Sequence, residues 1–223
     1  MYDKIYHKAH KLTQFISLKT NQKKEENSYL SNFLRKEYNK NNNISVLDIG
    51  CDEWRITNII KNKVGTNINI TWIDINSDAI TIAQNKYNWI NFQVLNNRFI
   101  QDNLNNFDII FSTHVMEHVP NMEEFIDLQI KLLKPNWKIV TIIPQERIRW
   151  ELQLIPMFLN VFRWVFKNPH VRKISKQQIE NIMQSKGFKL IDHIYTNLFS
   201  PHTSKERRID SIGLWCYFEK INK

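Results

Sequence analysis

The chain has 223 residues, 42% of them hydrophobic, which is enough for one buried core with modest additions. Two cysteines exclude a disulfide framework or a cysteine-built zinc site, and no run of eighteen apolar residues offers a spanning helix. The net charge of +9 suits phosphorylated, nucleic-acid or membrane-surface partners, yet abundant Lys and Asn with only 4 Gly point first to compositional bias.

The N-terminal "MYDKIYHKAHKLTQ" has no apolar leader core, so the chain reads as intracellular, with the cytoplasm as its location. Residues 1–43 read as a helical N-terminal extension. Ile5, Leu12, Phe15 and Ile16, then Tyr29, Leu30, Phe33 and Leu34, fall at helical spacing. The polar "TNQKKEEN" between them reads as a solvated joint, and Asn39–Asn43 as a loop. Residues 44–223 form the main domain, in which short apolar runs alternate with amphipathic stretches. Strands are expected at 44–49, 68–74, 90–95, 107–113 and 138–144, and helices at 55–63, 77–86 and 121–133. That alternation predicts an α/β fold of parallel βαβ units in a doubly wound, Rossmann-like sheet.

Region 145–175 breaks the rhythm. It is rich in Trp, Phe, Leu and Arg, with Trp150, Leu154, Phe158, Phe162 and Val165 at helical spacing and Pro156 as a break. It reads as a helical lid or insertion. Ser175 and Gln178 then form a capping-box pattern, and Gly187 sits where a helix C-cap belongs. "FKLIDHIYTNL" and "SIGLWCYFEK", joined by "SPHTSKERRID", bring the sheet to seven mostly parallel strands with a terminal antiparallel hairpin.

Four segments in order carry a resemblance: "VLDIGC", "WIDINSDAITIAQ", "NFDIIFSTHVMEHV" and "LLKPNWKIVTIIP". Together they resemble the class I S-adenosylmethionine-dependent methyltransferases over roughly residues 44–190. Ligands of such sheets bind outside the carboxyl ends of the strands, where the strand order reverses. The resemblance implies S-adenosylmethionine as cofactor, held around Asp48, Gly50, Cys51 and Asp52 after the first strand. Asp74, with Ile75 beside it, would take the ribose hydroxyls, Asn96 the adenine amino group, and Thr113 the edge of the fourth strand. Ser77 is available as the cap of the helix after Asp74. Asn96 and Asn97 also suit a plain turn.

Asp52 and Trp54 stand where the family carries its second and third glycines. Asp52 would repel a pyrophosphate, while a sulfonium and an ammonium tolerate a carboxylate. The first turn is therefore read as a working cofactor site.

A hydroxyl acceptor must lose a proton as the methyl arrives, and histidine suits that task. His118, His114 and His170 are the candidates, the last within "NPHVRKIS", which resembles a His-x-Arg-x-x-Ser segment of methyltransferases of sugars and other polar metabolites. Glu117, Arg149, Trp150 and His170 are the candidate acceptor contacts. His114 to His118 also spells H-x-x-E-H, a zinc pattern, but no clear third ligand follows and no metal is expected. The reading is O-methylation of a small polar, sugar- or phosphate-bearing acceptor. The alternatives are a quinone or lipid acceptor at a membrane surface met by 147–167, and a non-catalytic partner subunit with a degenerate glycine motif. A homodimer is compatible with the apolar lid, and no base-flipping motif favours nucleic acid.

Overall fold

The computed structural model describes residues 21–50, 68–88, 90–145 and 172–221. The expected helices within 1–20 and at 55–63 lie outside these residues. So do Cys51, Asp52, Trp54 and most of the 145–175 insertion, with Arg149, Trp150 and His170.

The strands are β1 (Ser45–Ile49), β2 (Asn69–Asp74), β3 (Asn91–Val94), β4 (Phe107–Thr113), β5 (Leu133–Pro144), β6 (Phe188–Asn197), β7 (Thr203–Ser204) and β8 (Ser211–Lys220). They form one sheet in the order β3-β2-β1-β4-β5-β8-β6-β7. Strands β1 to β5 pair in parallel, while β8 runs antiparallel to both of its neighbours, β5 and β6. The mixed sheet agrees with the sequence reading, with two refinements. The β6–β8 hairpin is not appended at the edge in chain order, because β8 inserts between β5 and β6. An eighth strand, β7, arises where the charged loop folds back so that Thr203 and Ser204 pair with Thr196 and Tyr195.

Alternation along the buried strands sends side chains to two cores. Val46, Ile109, Val140, Trp215 and Tyr217 face helices α1 (Asn21–Lys40) and α2 (Ser77–Lys86), through Leu30, Leu34, Ile80 and Ala83. Leu47, Ile110, Ile139, Leu214, Cys216 and Phe218 face α3 (Asn97–Asp102), α4 (Met122–Leu132) and α5 (Lys176–Ser185), through Phe99, Phe125, Ile126, Ile179 and Met183. The α5 capping box is formed as expected, by Ser175 and Gln178, and Gly187 follows the helix at φ +82°.

Four local expectations differ. The backbone of α1 is already helical from Asn21, through most of the stretch read as a joint. Helix α3 stands where Asn96–Asn97 suggested a turn, because the Asn96 side chain accepts the Phe99 N–H and starts a helix. Asn76, not Ser77, caps α2, its Oδ1 accepting from Asp78 and Ala79. Strand β5 begins at Leu133, five positions early, across a register shift opposite Phe107 and Ile109. Among the described residues no helix is long and apolar enough to cross a membrane.

Candidate active site

The strand order reverses between β1 and β4, so their carboxyl ends, with that of β2, frame a crevice. Gly50 leaves β1 at φ +80°, its N–H donating to Ile73 O at 2.8 Å. A Cβ at Gly50 would lie 2.3 Å from Val115 Cγ2, so the glycine lets the β1 turn close on the turn after β4.

Two carboxylates converge here. Asp48 is only 4% exposed, and burial, followed by the charge of Asp74, pushes its carboxyl well above the usual range. Asp74 ends β2 half-buried and accepts the Asn76 N–H at 2.9 Å. Ile75 is 79% exposed beside it. Asn96 spends one lone pair of its side-chain oxygen on the Phe99 N–H at 2.9 Å, which leaves its amide hydrogens and second lone pair for a ligand.

The turn after β4 holds the third group of residues. Thr113 ends the strand with a buried hydroxyl that has no hydrogen-bond partner. His114 adopts φ 55°, rare for a residue with a side chain, while its N–H donates to Ile142 O at 2.9 Å. Glu117 is 0% exposed. Its Oε1 lies 3.4 Å from His114 Nδ1 and 3.9 Å from His118 Nε2, and neither carboxylate oxygen makes an aligned hydrogen bond. Burial alone would raise the Glu117 carboxyl. The His114 imidazole, joined by the Glu117 backbone N–H and by His118, outweighs it and holds the carboxyl below its ordinary value. Both imidazoles are about one-third exposed, at 38% and 33%. A sealed carboxylate thus backs two imidazoles that reach solvent. Among the described residues no cluster of three or more His, Cys, Asp or Glu side chains is arranged to hold a metal.

Past β5, buried Gln145 joins three chain segments. Its Nε2 donates to Ile174 O at 2.8 Å, its N–H to Ile212 O at 2.8 Å, and its carbonyl accepts from Arg207 at 3.3 Å. Nothing in the sequence marked Gln145 or the Gly50–Val115 contact, since both depend on partners far along the chain.

The sequence model of a family described as "Methyltransferase domain" matches residues 6–193. The chain belongs to this family, within the S-adenosylmethionine-dependent methyltransferases. It is 26% identical to the ubiquinone biosynthesis O-methyltransferase of Bartonella tribocorum over 157 residues, 68% of this chain and 63% of the relative. It is also 26% identical to the same-named protein of Rickettsia bellii over 147 residues, 64% and 60%. The chain thus spans about three-fifths of the length of these curated relatives. Among solved structures, the DszA carbon methyltransferase superposes with a TM-score of 0.68 at 15% identity, over 91% of this chain and 56% of that one. A SAM-dependent methyltransferase from Aquifex aeolicus gives 0.55 at 16%, over 80% and 82%. At such identities the structures speak for the fold. The donor set suits the family's cofactor: the crevice offers the Asp74 carboxylate, which is compatible with a sulfonium and an ammonium and would repel a pyrophosphate, together with the buried Asp48 carboxyl and an unsatisfied Thr113 hydroxyl.

Proposed function

We propose that this chain methylates a hydroxyl oxygen of a small acceptor, with the His114–Glu117–His118 turn taking the proton. S-adenosylmethionine supplies the methyl group as a sulfonium electrophile. Asp74, with Ile75 beside it, would hold the ribose and Asn96 the adenine. Asp48, Gly50, Cys51, Asp52 and Thr113 would surround the amino-acid end.

The observation that carries the reading is Glu117. A buried carboxylate without aligned hydrogen bonds is costly unless it works against a positive partner, and here it backs two exposed imidazoles. A carboxylate behind an imidazole favours its protonated form, which is what a base needs after it has accepted a proton. His118 and His114 are the first candidates, and His170 the third. Glu117, Arg149, Trp150 and His170 would face the acceptor.

The acceptor is proposed to be a polar hydroxyl compound, sugar- or phosphate-bearing. The relatives named for ubiquinone biosynthesis support a second reading, a phenolic quinone precursor met at a membrane surface through 147–167.

Methyl transfer from labelled S-adenosylmethionine to catechols and to nucleotide sugars, run side by side, separates the two readings. At saturating cofactor, His118→Asn and Glu117→Gln should each lower turnover by about 10² to 10⁴. A drop below tenfold for His114, His118 and His170 alike would remove the general base. Asp74→Ala should weaken cofactor binding by roughly 1.5–3 kcal/mol per lost hydrogen bond in calorimetry. An unchanged affinity would overturn the ribose assignment, and no binding by the parent would favour a non-catalytic subunit.

A further inference from the structure

The turn that carries Glu117 and His118 is held at three places. The His114 N–H is bonded to Ile142 O, Val115 fills the space that Gly50 leaves open, and the Pro120 carbonyl accepts from the Arg172 guanidinium. The third tie joins residues 52 apart in the chain.

Arg172 precedes Ile174, whose carbonyl is bonded to Gln145 at the end of β5. The chain leaving β5 and the chain arriving at α5 are therefore pinned together at Gln145. Arg172 extends that pin to the histidine turn. Its Nε is buried with no hydrogen-bond partner, so that end of the group is packed, while the residue as a whole is half-buried. Pro120 is the last residue before Asn121, whose side chain caps α4. Without Arg172, the turn would run from His118 to that cap with its Pro120 carbonyl unheld.

We infer that Arg172 is a positioning residue for His118: its hydrogen bond to Pro120 sets where the imidazole stands relative to Glu117. The inference rests on the proposed role of the turn in proton removal. Arginine fits the task because its guanidinium stays charged at any working pH and presents several donors in a rigid plane. Displacing a catalytic group by about 1 Å can cost 10²-fold in rate, so a contact two residues away matters.

The test uses the full chain with ¹³Cε1-labelled histidine, read by NMR across pH, with S-adenosylmethionine affinity measured alongside. Arg172→Ala should move the His118 signal while those of His193 and His202 stay put and cofactor affinity changes by less than about twofold. Arg172→Lys, which keeps a charged donor, should return His118 toward its original signal. If the alanine variant does not fold, Arg172→Gln takes its place with the same expectation. An unmoved His118 overturns the inference. So does an equal displacement in the lysine variant, or a joint movement of all the histidines, since either would mean general loosening. The readout needs no acceptor. A silent His118→Asn in methyl transfer would remove His118 as the base, whereas an unmoved imidazole sinks only the Arg172 contact.

Discussion

The backbone of Gly50 runs at φ +80°, and a Cβ built there would meet Val115 Cγ2 at 2.3 Å. Gly50→Ala should therefore carry two costs: about 1–2 kcal/mol for the left-handed backbone and about 1–3 kcal/mol for overpacking. Val115→Ala removes the obstacle without touching the dihedral angle. Urea unfolding of the double variant should recover the overpacking part and leave the backbone part, so the two changes should be non-additive. Simple additivity would mean that Val115 is not the obstacle. In the sequence this glycine stands out as the one kept where Asp52 and Trp54 replace the family's second and third glycines. The structure adds a protein side chain at the same place, a contact 65 positions away that local pattern cannot reveal. Asn96 was read as either a ligand or a turn residue, and its side chain turns out to start a helix. Local hydrogen bonding of this kind is what Asn offers almost anywhere, so its role was the least legible.

Helix α1 is attached through one face. Leu30 and Leu34 are buried against the sheet, and Tyr29 and Phe33 pack on Trp215 and Tyr217 with ring centroids 4.7–6.1 Å apart. Leu34→Ala should cost about 2–5 kcal/mol, and Ser175→Ala, which removes the α5 cap, about 1 kcal/mol. Chemical denaturation should rank them in that order, and the reverse would mean that α1 is only loosely docked. Apolar spacing made this face readable. The polar turns of α1 before Ser28 were not readable, because Lys, Glu and Gln sustain a helix by propensity without leaving an apolar stripe. The strands were legible almost to the residue wherever β-branched runs fill both faces. The start of β5 was not, because Pro135 and Trp137 interrupt that run.

Across the whole molecule, stability should respond to pH through two buried carboxylates of opposite sign. Asp48 has a raised folded pKa, so its unfolded form ionises first, near pH 3.9, and folding loses stability as pH rises beyond that point. Asp48→Asn should raise the Tm at pH 7, with the gain fading as pH falls toward 4. Glu37 behaves oppositely. Burial would raise its carboxyl, but Lys138 at 2.5 Å and Lys40 at 2.8 Å outweigh burial and lower it. Its contribution is present above the unfolded value, about 4.3, and is lost as pH falls through the lower folded value. Glu37→Gln should lower the Tm at pH 7 and converge with the parent in acid. Melts from pH 3 to 8 would show both, and parallel curves for either variant would overturn its assignment.

The position of β8 carries a consequence for biosynthesis. Among the described strands it is the last to be synthesised, yet it lies inside the sheet, bonded to β5 on one side and β6 on the other. Until residues 211–220 clear the ribosome, β5 has a bare edge and β6 lacks its main partner. A nascent chain stopped at Asp210 would therefore expose backbone donors and acceptors to any passing strand. Arrested chains of that length should be cut readily by trypsin, whereas chains with Lys220 outside the exit tunnel should resist. The newborn sheet depends on β8, and chaperones would have to shield its open edges until that strand arrives.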